Sequence, residues 1–254
     1  MNRDTFRQVI NLLAVVATIV VNGLANALPL NGQLTGEISD QFKVYFVPAG
    51  YVFSIWGLIY VGLIAFGVYQ MLPSQRENPR LRRIGYLFAL SCLANIVWLF
   101  LWHYEFFIYT ITIMVALLGL LIAIYLRLEI GRAQVPVKEK WLVDLPFSIY
   151  LGWITVATIA NASDVLDYLK WSGWGIRPEV WAVIMLIAGV GIALAMSLTR
   201  GDIAYQLVIV WAFVGIAVKQ TAMPVVANAA WVMSALVILV LIIGVLVRKQ
   251  RIYQ

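Results

Sequence analysis

Charged residues are scarce in this chain of 254 residues, since only 12% are Asp, Glu, Lys or Arg, about half of the usual share in a soluble domain. Apolar residues make up 63% of the chain, and its mean hydropathy is +0.91. A soluble domain of this size cannot bury so much apolar surface, because about a quarter of its unfolded surface stays exposed after folding. The composition therefore excludes a soluble enzyme, a disordered chain and a fibrous repeat, and it predicts a protein that lies mostly in lipid.

Cysteine and histidine occur once each. Cys92 alone excludes an intramolecular disulfide and a cysteine-based metal cluster, and its apolar surroundings are typical of an inert thiol. His103 alone excludes a haem held by two histidines of one chain, and its place near Glu105 at the end of an apolar run disfavours haem ligation by a single histidine.

Catalytic groups are equally scarce. The apolar runs contain no nucleophile–base pair and no paired carboxylates, which most hydrolytic mechanisms need. Asp164 and Asp167 lie three residues apart next to Lys170, a pattern that indicates a solvated helix end. We therefore expect no enzymatic activity, no metal site and no required cofactor.

The apolar runs are continuous and lack the alternation of a lipid-facing β-barrel. Each is about 20 residues long, enough to cross about 30 Å of hydrocarbon as a helix. The predicted fold is therefore an all-α, polytopic helical membrane protein. The eight predicted spans are Val9–Leu28, Gly50–Leu72, Ile84–His103, Phe107–Leu126, Trp141–Ala162, Val180–Thr199, Ile203–Lys219 and Asn228–Val247.

The basic residues divide unevenly between the connections. With a cytoplasmic N-terminus, eight spans place fourteen lysines and arginines on the cytoplasmic side and four on the outer side. The positive-inside rule therefore predicts that both termini are cytoplasmic, and we expect a bacterial cell membrane. The rule also explains the formal charge of +6 without a nucleic-acid partner. The first span is longer than a signal-peptide core and contains several polar residues, so we expect it to stay uncleaved.

Polar and aromatic side chains recur at helical spacing in four of the spans. Polar groups in hydrocarbon usually face the interior of a bundle, so each set marks the inner face of its helix. The sets are Asn11, Thr18, Asn22 and Asn26 in the first span; Phe53, Trp56 and Tyr60 in the second; Ser91, Asn95, Trp98 and Trp102 in the third; and Ser148, Thr155, Thr158 and Asn161 in the fifth.

The alternating directions of the spans bring all four sets into the outer half of the membrane. Two interpretations stay open: interhelical hydrogen bonds worth about 0.6–2 kcal/mol each, or a shared amphipathic cavity that suits a large flat ligand by ring stacking. Tryptophans within the spans, such as Trp153, favour the cavity. An aromatic belt at the interfaces explains the others, namely Trp102, Trp141, Trp171, Trp174, Trp181 and Trp231.

Two charged residues lie at the ends of spans. Asp144 is expected to pair with Lys138, Lys140 or Arg127 at the inner interface, with a proton relay as the alternative. Lys219 ends the seventh span, and we expect its side chain to reach the outer interface rather than to carry a retinal.

Three segments carry a family resemblance. Residues 48–60, Pro-Ala-Gly-Tyr-Val-Phe-Ser-Ile-Trp-Gly-Leu-Ile-Tyr, resemble the second-helix signature of the tryptophan-rich sensory protein family. This family is also called translocator protein or peripheral benzodiazepine receptor (TspO/MBR). Residues 95–102 resemble its third-helix Asn-x-x-Trp pattern, and residues 145–161 are similar to its fifth helix, with a proline, Trp-x-Thr and a terminal Asn.

The resemblance covers about residues 1–167 and has departures. Tyr51 stands where the family usually has Trp, the interval from Phe53 to Trp56 is one residue shorter than usual, and the interval from Pro146 to Trp153 is about three residues longer. We therefore predict a divergent member, with a five-helix TspO/MBR-like domain over residues 1–167 and an additional three-helix transmembrane region over residues 168–254.

The resemblance implies a ligand cavity formed by helices one, two, three and five under the first loop. Family members bind porphyrins, sterols and benzodiazepine-site drugs, so porphyrin or haem is a candidate ligand here. The residues carried over by motif are Trp56, Tyr60, Asn95, Trp98, Trp153, Ala157 and Asn161, and the inner-face sets add Asn22, Asn26 and Phe53. The predicted function is binding of a flat hydrophobic molecule for sensing or transport.

An alternative function is secondary transport of a small molecule through the full set of helices. Transporter folds usually show repeats and broken helices at mid-membrane, and neither is clear in the sequence. The predicted partners are the lipid bilayer and a hydrophobic small molecule, with a second copy of the chain as a candidate.

Overall fold

The computed structural model describes residues 2–252, and side chains within residues 2–246. This part of the chain is all-α, with eight long helices and no strand. The long helices are α1 (Arg3–Ala27), α2 (Ile55–Met71), α3 (Leu87–His103), α4 (Phe107–Arg127), α5 (Leu145–Tyr168), α6 (Pro178–Thr199), α7 (Ile203–Lys219) and α8 (Pro224–Ile252). Shorter helical pieces between them are Leu30–Gly32, Thr35–Ser39, Gly50–Ser54, Pro73–Gln75, Pro79–Ile84, Val137–Glu139, Lys140–Asp144 and Gly173–Gly175.

Each of the eight predicted spans corresponds to one long helix. Six of them have the length and hydropathy to cross a membrane, α2 only together with the preceding piece Gly50–Ser54, whereas α3 and α7 are shorter apolar helices of 17 residues each. A helix of that length still extends about 25 Å. The outer surface carries many exposed Leu, Ile and Val side chains, as expected where lipid replaces water. The prediction of an all-α polytopic membrane protein is confirmed.

Helix α5 is central in the bundle. In its candidate span 72% of the 18-residue window is buried, against 17–33% in the other five. It packs against α2, α4 and α7. A π-helical turn at Lys140–Asp144 leads into it, and Pro146 lies in its first turn, where the missing N–H costs no helical hydrogen bond.

The last three helices contact the first five mainly through α7. Gly152 on α5 permits this close approach, because a Cβ there would lie 3.1 Å from the Tyr205 carbonyl oxygen of α7. On the other side of α7, a Cβ at Gly189 of α6 would lie 2.6 Å from the Phe213 ring. Small residues therefore let α7 pack between α5 and α6, as is common in membrane bundles.

The connections segregate to two ends of the bundle. At the end that holds the N-terminus, here called the basic end, Arg80 pairs with Asp144 at 2.6 Å and with Glu139 at 3.0 Å. At the opposite end, here called the loop end, Lys219 pairs with Asp40 at 2.7 Å. This alternation agrees with eight crossings. The basic side chains of Arg248, Lys249 and Arg251 lie outside the described side chains.

The expected partners of Asp144 were wrong. Its partner is Arg80, which comes from the connection between α2 and α3, and not Lys138, Lys140 or Arg127. The physical reason is packing: Arg80 also donates to the Leu128 carbonyl oxygen at 2.8 Å, so one guanidinium joins two connections that lie side by side. Two guanidinium nitrogens of Arg80 bind the two buried acids, and the third binds the Leu128 carbonyl oxygen.

Candidate functional site

A cavity of about 50 Å³ lies inside the bundle beneath the first loop, defined here as residues 28–54. Helices α2, α3, α4 and α5 form its walls, and the loop residues Thr35, Ser39, Val47 and Pro48 cover it. Six of the ten predicted ligand-binding residues line it, namely Phe53, Trp56, Trp98, Trp153, Ala157 and Asn161.

Aromatic rings form most of the wall. Trp98 and Trp102 stack with their centroids 5.4 Å apart and their planes 16° from parallel. On the facing side, Trp153 meets the rings of Phe53 and Trp56 edge to face at 5.8 and 6.3 Å. Such flat, apolar surfaces suit a flat ligand by stacking.

Trp102 corrects a prediction. It was expected in an aromatic belt at the interface, yet only 3% of its surface is exposed. It packs with Ile38 and Phe107, and its indole donates to the Thr35 carbonyl oxygen at 3.2 Å. The short helix Thr35–Ser39 covers it, and hydropathy along the chain does not show that cover.

The other four predicted residues do not line the cavity. Asn22 donates to the Asn95 side-chain oxygen at 2.8 Å, and Asn95 donates to the Tyr150 hydroxyl at 3.2 Å. Asn26 is exposed and donates to the Asn22 carbonyl oxygen at 2.8 Å. Tyr60 stacks on Trp56 with the centroids 5.5 Å apart. Both interpretations of the inner-face sets therefore apply, because some members join helices and others line a cavity.

His103 fastens one edge of the first loop. The ring is fully buried, with Nε2 3.0 Å from the Thr35 hydroxyl and Nδ1 3.2 Å from the Leu30 carbonyl oxygen. Asn31 donates to the His103 carbonyl oxygen at 3.0 Å. Both ring nitrogens are therefore engaged with the loop, which gives this histidine a structural role.

Helix α7 fastens the other edge of the loop. The Trp211 indole donates to the Val52 carbonyl oxygen at 3.1 Å, and the Gln220 amide donates to the Tyr45 carbonyl oxygen at 3.1 Å. The Ala49 N–H donates to the Gly215 carbonyl oxygen at 3.1 Å. No sequence pattern indicates this role, because these contacts join segments about 160 to 180 residues apart along the chain.

Asp164 also corrects a prediction. It was expected at a solvated helix end, but it lines the cavity and only 3% of its surface is exposed. Helix α5 continues to Tyr168, so Asp164 lies within the helix and on the same inner face as Asn161. The first loop lies over this face. Asp167 instead accepts from the backbone N–H of Lys43 at 3.2 Å.

Two buried polar atoms of the cavity residues have no hydrogen-bond partner within the described part of the chain. They are the Trp153 indole Nε1 and the Asp164 carboxyl Oδ1. Buried polar groups are normally paired, and an unpaired one is commonly explained by water, an ion or a functional role. These two atoms therefore mark where a ligand would find a donor and an acceptor.

A larger cavity of about 410 Å³ lies on the other side of α5, between that helix, α6 and loop residues 43–46. Its lining includes Trp171 and Trp181 but none of the ten predicted residues. It is mostly apolar and faces the loop end of the bundle, where lipid chains meet the interface.

The comparisons with known proteins agree with the motif resemblance. The model of a family described as TSPO-like protein matches residues 8–243. The match extends through α6 and α7 and most of α8, well beyond the residues 1–167 that carry the motifs. No curated protein and no solved structure matches this chain.

Proposed function

The chain belongs to the TSPO-like protein family, and from that premise we propose that this integral membrane protein binds a flat, hydrophobic molecule of the porphyrin or sterol type in the cavity beneath the first loop. Such binding would serve sensing or transport. The observation that supports the proposal most is the convergence of six predicted residues from α2, α3, α5 and the segment before α2 on one cavity.

The cavity would accept its ligand after the first loop moves. Its volume of about 50 Å³ is far below the roughly 300–1,000 Å³ of typical ligand pockets. Loops that close over a site commonly move to admit a ligand. The contacts at His103 and at α7 comprise several hydrogen bonds, each worth about 0.5–1.5 kcal/mol, and ligand binding would have to offset those that open.

Tryptophan fluorescence of the purified protein tests the proposal. Titration with protoporphyrin IX in detergent should quench the emission with a saturable dissociation constant. The double variant Trp56→Ala/Trp98→Ala should raise that constant at least about tenfold, because truncating a stacking ring costs about 1–3 kcal/mol.

A matched double variant, Trp171→Ala/Trp181→Ala, removes two rings from the larger cavity. It should leave the dissociation constant unchanged. Loss of binding in this variant alone would place the ligand in the larger cavity and overturn the proposed site. The proposed function would be overturned if protoporphyrin IX caused no saturable quenching of the wild type and if a sterol did not compete for binding.

A further inference from the structure

Asp164 differs from the other buried acids of the protein. Four acidic side chains are buried within the described residues. Glu139 and Asp144 pair with Arg80, and Asp202 accepts from the Tyr125 hydroxyl at 2.8 Å. Asp164 alone makes no hydrogen bond or ion pair in the part of the chain that the structure describes.

A buried carboxyl group without a partner is costly. A buried charge destabilises the folded protein unless a counter-charge or hydrogen bonds replace the water contacts that the charge has lost. Lys219 acts on Asp164 through space, but it makes its ion pair with Asp40 at 2.7 Å and no direct contact with Asp164. Asp167, one turn further along α5, adds a second negative charge at the same end. The mouth of the cavity is therefore short of positive charge.

The aromatic wall beside Asp164 suits a cation. Trp98 and Asn161 share a hydrogen bond of 3.2 Å, which sets α3 and α5 at the same depth. Trp102 lies one turn beyond Trp98, and Asp164 lies nearly one turn beyond Asn161, in two helices that run in the same direction. Trp102 and Asp164 thus lie together near the loop, and tryptophan faces attract organic ammonium groups.

The indole Nε1 of Trp153 is the other unpaired buried atom among the cavity residues. Trp153 and Asp164 are eleven residues apart on α5, about 16 Å along the helix axis. The two groups would therefore contact opposite ends of one ligand. With the Trp153 N–H at one end of the ligand and the Asp164 carboxyl group at the other, the rings of the ligand would lie among the aromatic side chains between them.

We propose that Asp164 selects a ligand that carries a protonated amine, with its ammonium group paired to this carboxylate at the mouth of the cavity. The flat body of the ligand lies between the tryptophans. The inference rests on the proposed binding cavity and narrows its ligand to a flat molecule that carries an amine, so a porphyrin would have to keep its propionates away from Asp164.

Three pyrene probes with one ring system and different charges test this inference. They are 1-pyrenemethylamine, which is an ammonium ion at pH 7, neutral 1-pyrenemethanol and anionic 1-pyrenecarboxylate. Energy transfer from tryptophan to pyrene gives the dissociation constant of each with the full-length protein in detergent. All three probes require the same movement of the first loop, so the ratio of their dissociation constants reports only how the site recognises charge.

The wild type should bind the amine at least about tenfold more tightly than the alcohol, because the ammonium group forms a charge-assisted hydrogen bond with the carboxylate, and it should bind the carboxylate most weakly. Asp164→Asn should bring the amine-to-alcohol ratio near one and keep the affinity for the alcohol. Asp167→Asn, the matched control outside the small cavity, should keep the wild-type ratio.

The outcomes separate the two proposals. Equal binding of all three probes by the wild type, or a preference that Asp164→Asn retains, would overturn the role of Asp164 and leave the aromatic cavity intact as a ligand site. Binding of none of the probes, together with no porphyrin quenching, would overturn the cavity itself. If Asp164→Asn does not fold, the order of affinities in the wild type decides alone.

Discussion

The indole Nε1 of Trp98 donates a hydrogen bond to the side-chain oxygen of Asn161 at 3.2 Å. Asn161 in turn donates to the Thr110 hydroxyl of α4 at 2.9 Å. One chain of hydrogen bonds therefore joins α3, α4 and α5 beside the cavity. Because the polar groups of Trp98 and Asn161 already pair with each other, we expect these residues to contribute ring surface and shape rather than new polar contacts to a ligand.

Replacing Asn161 with Leu should lower the free energy of unfolding by about 0.6–2 kcal/mol. The change leaves the Trp98 indole without its acceptor and Thr110 without its donor. Thermal unfolding in detergent measures the effect, with Asn26→Leu as an exposed control on α1 that should change little. In combination with Trp98→Phe the loss should be less than additive, and a fully additive pair would contradict the shared hydrogen bond.

Replacing Arg80 with Met should destabilise the protein by about 3–5 kcal/mol, since it leaves Glu139 and Asp144 buried without a counter-charge. The exposed Arg76 provides the control, and Arg76→Met should have almost no effect. Adding Glu139→Gln and Asp144→Asn to the Arg80 variant should restore part of the melting temperature. No recovery would show that the guanidinium acts through its contact with the Leu128 carbonyl instead.

Asp144 also separates transport from binding alone. It is held by Arg80 in the structure, which favours a structural role over a proton relay. In proteoliposomes, we expect that Asp144→Asn lowers stability without changing any ligand flux measured for protein that remains folded. Flux that disappears in folded Asp144→Asn would favour the secondary-transport alternative.

The helices could be predicted because each depends on a local property of the chain. A run of about 20 apolar residues forms a spanning helix wherever it meets lipid, and polar spacing fixes which face points inward. Six of the fifteen residues that line the cavity were predicted, among them Trp56, Trp98 and Asn161. The motif resemblance confined to residues 1–167 pointed to the family whose model matches residues 8–243.

Contacts between distant segments could not be predicted in the same way. Periodicity shows that a side chain faces inward but does not identify the neighbour that it meets. The pairing of Asp144 with Arg80, the contact of α7 with the first loop and the cover over Asp164 all depend on how loops settle on the bundle. The burial of Trp102 could not be predicted for the same reason, because the short helix Thr35–Ser39 covers its side chain.

Cysteine labelling tests the predicted orientation. Ser74 lies in a connection at the basic end, and Ser172 lies at the loop end, and both are exposed. In intact cells a membrane-impermeant maleimide should label Ser172→Cys and leave Ser74→Cys unlabelled until the membrane is permeabilised, because basic connections stay cytoplasmic. Native Cys92 is buried and should stay unlabelled, and the reverse pattern would place both termini outside.

Gly215 tests whether α7 holds the loop over the cavity. A Cβ at this position would overlap the Val52 side chain and lie 3.0 Å from the Pro48 Cβ, so Gly215→Ala should push the loop away from α7. Trypsin should then cleave after the exposed Lys43 several-fold faster, because local opening exposes backbone to the protease. Gly191→Ala on α6 is the matched control, because a Cβ at that position would meet nothing within 4 Å.

Gly215→Ala should also speed the entry of protoporphyrin IX in stopped-flow quenching. Faster cleavage with unchanged entry would show that the loop does not gate the cavity.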